Sequence, residues 1–379
     1  MGIYEELGVR RVVNAAGTYT AVGASRMRRE TLEAMAEASE SYVEIPQLLR
    51  AVEDRIAEMT RNEAAFVCNS CSTALYLTAA ALAEEKTGRP FRSLAPEEIG
   101  RCEILCFWNQ HIPYDYAMAQ TGVRLRFLGD TTAMGGVSRE LLRQEIGPGT
   151  AGIYFAARTP RGFYAPDRLN LEDVIAVAGE AGVPVIVDAA AQLPPRENLW
   201  LFTEMGADLV LFSGGKDLAG PQASGLVLGR KRLIARLRTL GFPNYGIGRI
   251  MKIGREEIVG LYAAVRAYLR DDEAARLRRC EEQVAYLTAR LDRNGAFQGV
   301  RCWPNQAGQP LPRAFVSPRE GISLTGAELR MRLAGCNPGI YCLTEGKNGV
   351  FINPMCLEDG EMEYIADRIC EIGEELCHG

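Results

Sequence analysis

The stretch Ala207-Asp208-Leu209-Val210-Leu211-Phe212-Ser213-Gly214-Gly215-Lys216 constrains the fold most. An apolar run of this length, ended by glycines, reads as a parallel strand covered on both faces. Lys216 follows the strand's end. A lysine held there either finds a partner, snorkels to solvent, or loses its charge. A Schiff base with an aldehyde cofactor removes the ammonium and makes an activated electrophile. Lysine is otherwise confined to Lys86, Lys231, Lys252 and Lys347.

Comparable runs recur along the chain. Ala64–Cys68, Cys102–Trp108, Val123–Leu128, Gly152–Ala156 and Val183–Asp188 read as strands, and Ala74–Glu84, Tyr114–Thr121 and Leu171–Ala181 as helices between them. Gly225–Gly229 reads as an antiparallel neighbour. Strand, helix and strand at this spacing predict an α/β fold built on a mostly parallel sheet. Ligands of such sheets sit at the carboxyl ends of the strands. Asn69–Ser72, His111, Asp188, Ser213 and Lys216 all fall at or just after such an end.

Earlier in the chain, an irregular N-terminal arm covers residues 1–50, with a helix over Arg28–Ser39; a second helix spans Ile45–Arg61. Residues 51–255 form the large domain. Beyond it, residues 256–379 comprise a long amphipathic helix, read as continuous from Arg255 to Leu291, and a smaller α+β domain. The 379 residues suffice for two domains.

Each candidate has two readings. Asp188 closes the run Val-Ile-Val-Asp. A buried carboxylate there needs a cationic partner such as a protonated pyridine nitrogen, or else serves as a cap or in a salt bridge. One βαβ unit takes roughly 30 residues, which puts Asp188 and Lys216 at neighbouring strand ends. Asn69-Ser70-Cys71-Ser72-Thr73 opens a helix whose free N–H groups and dipole favour an anion. The hydroxyls of Ser70, Ser72 and Ser213 can add donors to a phosphate; plain N-capping by Ser70 fits equally. His111 fits a ring stacked on a cofactor or an ordinary helix-start histidine.

The 11 cysteines include a single Cys-x-x-Cys pair, Cys68 and Cys71, and the histidines are His111 and His378 alone. That supply favours small buried apolar cysteines over a four-ligand metal site, and no metal is expected. The net charge of −5 argues against a dedicated nucleic-acid surface. No apolar run reaches the roughly 18 residues of a membrane span. The expected setting is a reducing cytoplasm.

The chain resembles the pyridoxal-phosphate enzymes of the aspartate-aminotransferase fold (fold type I), in the branch of bacterial selenocysteine synthase and D-glucosaminate-6-phosphate ammonia-lyase. The residues that carry the resemblance are Asn14-Ala15-Ala16-Gly17-Thr18-Tyr19-Thr20, Val187-Asp188-Ala189-Ala190-Ala191-Gln192-Leu193-Pro194-Pro195 and Phe212-Ser213-Gly214-Gly215-Lys216. Gly220-Pro221-Gln222-Ala223-Ser224-Gly225 and Gly248-Arg249-Ile250-Met251-Lys252-Ile253-Gly254 continue it.

The resemblance implies a seven-stranded sheet, pyridoxal 5'-phosphate as cofactor, Lys216 as the Schiff-base lysine and Asp188 as partner of the ring nitrogen. It implies that Asn69, Ser70, Cys71, Ser72 and Ser213 hold the phosphate, that Gln192 lines the site and that His111 stacks on the ring as a third catalytic residue. Relatives carry a Gly-Ala-type pair where this chain has Cys71-Ser72. Arg249, Lys252 and Arg313 are the candidates for binding a substrate anion. The implied reaction is α,β-elimination from an amino acid or amino sugar acid, giving a 2-oxo acid and ammonia. A transaminase, racemase or aldolase would use the same residues, as would an enzyme of aminoacyl-tRNA. The implied assembly is a homodimer or a multiple of one.

Overall fold

The computed structural model describes residues 2–130, 136–157, 169–344 and 348–378. In chain order the strands are β1 Val12–Asn14, β2 Ala64–Cys68, β3 Glu103–Phe107, β4 Arg124–Leu128, β5 Thr150–Ala156 and β6 Val185–Asp188. They continue with β7 Leu209–Ser213, β8 Gly225–Gly229, β9 Phe297–Cys302, β10 Arg313–Pro318, β11 Gly339–Tyr341 and β12 Val350–Ile352. The chain divides into two compact units, Met27–Asp271 and Met1–Arg26 with Asp272–Gly379.

The larger unit is built on a seven-stranded sheet of order β2-β8-β7-β6-β5-β3-β4. Only β8 runs against the rest, pairing antiparallel with β2 and β7. Both faces are covered, and the two-residue period of a strand sorts the side chains between them. Val185, Val187, Val210 and Phe212 join a core with the helices Ile45–Met59, Leu171–Ala181 and Arg255–Arg270. Ile186, Leu209 and Leu211 join the opposite core with Cys71–Thr87 and Lys231–Leu240. This is the α/β architecture expected of the apolar runs.

In the smaller unit, β12-β10-β9 form an antiparallel sheet and β1 pairs in parallel with β11. Helices Glu273–Asp292, Gly326–Gly335 and Glu361–His378 accompany them.

The division differs from the boundaries expected at residues 50 and 255. The arm 1–50 is parted because β1 pairs with β11, whereas the helix Arg29–Ser39 packs on Arg255–Arg270 inside the larger unit. The long helix expected over Arg255–Leu291 is two helices. Asp272 starts the second, its Oδ1 accepting from the Ala275 N–H at 2.9 Å. The helix expected over Tyr114–Thr121 shrinks to Tyr116–Ala119 behind a 3₁₀ turn at Pro113–Asp115. Among the described residues, no helix is long and apolar enough to cross a membrane.

Candidate active site

The site is organised around Gly225. This first residue of β8 pairs with Cys68 on one side and Ser213 on the other. The turn after β2 and the loop after β7 therefore flank one glycine. A Cβ on Gly225 would lie 2.4 Å from the Ser70 carbonyl carbon and 2.8 Å from the Cys71 nitrogen. The missing side chain is what lets the Asn69–Ser72 turn descend onto β8.

Ser70 is the N-cap of the helix Cys71–Thr87. Its Oγ accepts from the Thr73 N–H at 3.0 Å and donates to Thr73 Oγ1. Thr73 Oγ1 in turn donates to Asn69 Oδ1 at 2.5 Å. The Ser70 hydroxyl and the Asn69 amide oxygen are thus engaged within the turn. This departs from the expectation that Ser70 donates to a phosphate. The N–H groups of Cys71 and Ser72, and the hydroxyls of Ser72 and Ser213, have no partner among the described residues. A 17-residue helix with open N-terminal donors can receive an anion.

The loop Ser213–Lys216 is pinned from beneath. The Gly214 N–H donates to the Ser224 carbonyl at 3.0 Å, and the Gly220 N–H to the Gly214 carbonyl at 2.9 Å. A Cβ on Gly214 would meet Ser224 Oγ at 2.1 Å, and one on Gly215 would meet Gln222 Cα at 2.6 Å. The two glycines allow the loop to lie against Pro221–Ser224 and set Lys216 beyond it. Lys216 is half-buried, and its Nζ has no hydrogen bond or ion pair among the described residues.

Asp188 ends β6, the strand next to β7, with Asp188 and Leu211 in register. It is 7% exposed. Its Oδ2 accepts from the Tyr154 hydroxyl and its Oδ1 from the Ala190 N–H, both at 2.9 Å. Burial pushes the Asp188 carboxyl above the usual range, against the pull of the Ala190 N–H, Lys216 and Tyr154, while Asp115 adds to the rise. Burial likewise pushes the Tyr154 hydroxyl well up, and the charges of Asp188 and Asp115 add to it. It remains a donor. No cationic side chain lies within hydrogen-bond reach of Asp188 among the described residues.

His111 leaves the end of β3. Its Nδ1 lies 2.9 Å from Asp115 Oδ2, and its ring meets Trp108 and Phe127 edge-on with centroids 5.5 and 5.0 Å apart. Gln110 Oε1 accepts from the Ala156 N–H at 2.9 Å, and the Ala157 N–H donates to the Asp188 carbonyl at 3.0 Å. The His111 segment is thereby tied to the end of β5, beside Asp188. Gln192 is buried in the loop after β6, its N–H bonded to the Ala189 carbonyl.

Cys71 lies close enough to Asp188 and Lys216 for both charges to act on it. Burial first, then Asp188, push its thiol well up. The Cys68 thiol is pushed up to about 12, chiefly by burial.

Arg249 packs over the rings of Phe242 and Tyr245 at 5.4 and 5.5 Å, and Lys252 is exposed. Arg313 belongs to the smaller unit, where its guanidinium lies 3.9 Å over the Phe351 ring. Sequence reasoning missed Tyr154 and Asp115. The one is a tyrosine inside an apolar run and the other an aspartate in a Pro-Tyr-Asp turn, and neither pattern marks a site.

Known proteins resemble this chain along nearly its full length. Over 380 residues the chain is 31% identical to a 5'-C-glycyluridine monooxygenase-decarboxylase of a Streptomyces species, covering 97% of this chain and 91% of the relative. It is 28% identical to the D-glucosaminate-6-phosphate ammonia lyase of Salmonella typhimurium (strain 14028s / SGSC 2262), with 98% of each covered. The solved structure of a D-glucosaminate-6-phosphate ammonia-lyase superposes with a TM-score of 0.82 at 25% identity, over 100% of this chain and 99% of that one. Ornithine delta-aminotransferase of Plasmodium falciparum shares the fold with a TM-score of 0.57 at 12% identity, over 98% of this chain and 90% of that one. The family model described as SelA, L-seryl-tRNA selenium transferase, matches residues 12–291, and the chain belongs to this family of fold type I pyridoxal-phosphate enzymes.

Proposed function

We propose that the protein is a pyridoxal-phosphate lyase that eliminates water from a 2-amino-3-hydroxy acid, an amino acid or amino sugar acid, and releases a 2-oxo acid and ammonia. The observation that carries this reading is the pairing of Lys216 and Asp188 at adjacent strand ends, with an open helix N-terminus across Gly225. The likeness to the ammonia lyase along the full length supports it.

The residues fit the cofactor. The N–H groups of Cys71 and Ser72 with the hydroxyls of Ser72 and Ser213 supply donors for its phosphate. The buried Asp188, lacking a cation in reach, suits a protonated ring nitrogen. Lys216 supplies the amine that anchors the aldehyde. Once bound, pyridoxal phosphate supplies an electron sink for charge developing at the substrate's Cα.

The rest falls to the chain's own groups. The Lys216 amine takes the Cα proton. Tyr154 and the Ala190 N–H hold Asp188 in one orientation and favour its ionised form. The β-hydroxyl leaves as water, and the enamine released becomes an imine that water hydrolyses to 2-oxo acid and ammonia. The balance is one water lost and one gained. The reading carries with it a homodimer or a multiple of one. Large side chains left exposed in the larger unit, among them Tyr42 at 97%, Tyr245 at 90% and Ile250 at 84%, are available to such an interface.

The test has two steps. The purified protein should show a visible absorption band that borohydride bleaches and that Lys216→Ala lacks. Ammonia and 2-oxo acid release should then be screened over amino acids and amino sugar acids. No band after adding pyridoxal phosphate would sink the cofactor. A second reading, oxidative decarboxylation, is favoured by the 31% identity to the Streptomyces relative. Dioxygen uptake with carbon dioxide release, in place of ammonia release from a hydroxylated substrate, would select it.

A further inference from the structure

Asp115 is 1% exposed and carries a carboxylate that the elimination reading does not use. Its Oδ2 accepts from the Ile112 N–H at 3.1 Å and lies 2.9 Å from His111 Nδ1. A carboxylate can only accept, so with Asp115 as the carboxylate the proton shared with the imidazole sits on Nδ1. Its other oxygen, Oδ1, is buried with no hydrogen-bond partner among the described residues. A buried polar atom left unpaired costs about 1–3 kcal/mol. Tolerating that cost makes sense if the charge is spent on His111.

The imidazole is confined as well as bonded. Trp108 and Phe127 meet it edge-on, and Gln110 ties its segment to the end of β5 beside Asp188. The His111 side chain is nevertheless 49% exposed. With Nδ1 held by Asp115, Nε2 is the nitrogen left to serve a ligand.

We propose that Asp115 is a positioning residue that holds the Nδ1–H of His111, so that the imidazolium gives up its other proton, from Nε2, to the departing β-hydroxyl and is left as the Nδ1–H tautomer. This rests on the elimination reading. The Cβ–O bond breaks with its electron pair on oxygen, the Nε2 proton goes to that oxygen, and water leaves. The electron pair left by the Cα–H bond closes the Cα=Cβ double bond. Lys216 ends with the Cα proton and His111 ends as the neutral Nδ1–H tautomer, which is the form Asp115 holds. Exchange with water resets both.

Two measurements test this. The first is ¹⁵N NMR of the histidine-labelled holoprotein, with His111→Asn to assign the signal. In the wild type, neutral His111 should carry its proton on Nδ1. In Asp115→Leu it should revert to the Nε2–H form that free imidazole side chains prefer. Asp115→Asn, which keeps an oxygen acceptor, should retain the wild-type form. The second compares leaving groups. Chloride departs without a proton, hydroxide does not. In Asp115→Leu, ammonia release from serine and D-glucosaminate should fall about 100-fold while release from β-chloroalanine stays within about threefold. Asp115→Asn should recover most of the loss. A neutral wild-type His111 that carries its proton on Nε2 overturns this hold. Equal falls for both leaving groups, or chloride loss without hydroxyl loss in the wild type, overturn the acid role and leave elimination standing. No ammonia from β-chloroalanine in the wild type overturns the elimination reading itself and the acid role with it.

Discussion

The Tyr154 hydroxyl donates to Asp188 Oδ2 at 2.9 Å, from the strand beside it and at the same end of the sheet. A hydrogen bond to a charged acceptor is worth about 1.5–3 kcal/mol, a factor of ten or more. Tyr154→Phe removes a donor that pulls the Asp188 carboxyl down, so that carboxyl moves further up. Pyridoxal-phosphate affinity, titrated on the apoprotein by fluorescence, should weaken about tenfold near neutrality. Its loss on acidification should also begin at a higher pH than in the wild type. An unchanged affinity and pH dependence would show that the tyrosine only fills space.

The two ends of that bond were unequally legible in the sequence. Asp188 and Lys216 stand out because a buried parallel strand is a plain apolar run, and a charge at its end is conspicuous. Ser70 was legible as an N-cap, but whether its hydroxyl serves the cap or a ligand depends on Thr73 turning toward it. Tyr154 was hidden because a tyrosine in Gly-Ile-Tyr-Phe-Ala reads as core, and its hydroxyl acquires a role only when β5 and β6 pair in register. Asp115 was hidden because its partner His111 is brought back by a 3₁₀ turn in a span that reads as plain helix. The smaller unit was the least legible. β1 and β11 are three-residue strands from opposite ends of the chain, and no local pattern predicts such a pairing.

Glu53 sits 2% exposed on the helix Ile45–Met59, its Oε1 accepting from the Val67 N–H at 3.0 Å and its Oε2 from Arg238 Nε at 2.7 Å. Burial outweighs both bonds and pushes its carboxyl up to about 7. A carboxyl raised on folding stabilises the protonated native state. That contribution is full below the ordinary glutamate range and is lost as pH rises through about 7. The difference amounts to about 3 kcal/mol. Urea unfolding of the apoprotein at pH 5.5 and pH 8 should show the wild type less stable at the higher pH, and Glu53→Gln should flatten that difference. An equal slope in the variant would assign the pH dependence elsewhere.

Gly225→Ala tests how the turn rests on β8. The added Cβ would face Ser70 carbonyl carbon at 2.4 Å and Cys71 nitrogen at 2.8 Å, and both are backbone that cannot rotate away. Overpacking of this kind costs typically about 1–3 kcal/mol. The variant should unfold at lower urea than the wild type. Because the displaced atoms include the Cys71 N–H, it should also bind inorganic phosphate and pyridoxal phosphate more weakly. A loss of stability with phosphate affinity intact would separate the turn from the anion site.

Cys71 offers the sharpest test of that site, because its side chain and its backbone can be separated. It is the first residue of the helix Cys71–Thr87, and Ser70 before it is extended at φ −171° and ψ 160°. Proline is tolerated at a first helical position and requires an extended residue before it, so Cys71→Pro removes the N–H together with the thiol. Cys71→Ala removes only the thiol, which burial pushes well up and so keeps protonated and unreactive. If the backbone holds the phosphate, the alanine variant should keep its pyridoxal-phosphate affinity while the proline variant loses about tenfold or more, the worth of one hydrogen bond to a charged acceptor. Both should match the wild type in circular dichroism, which guards against a misfolded proline variant. Equal losses in the two variants would move the binding to the thiol, and no loss in either would place the phosphate elsewhere.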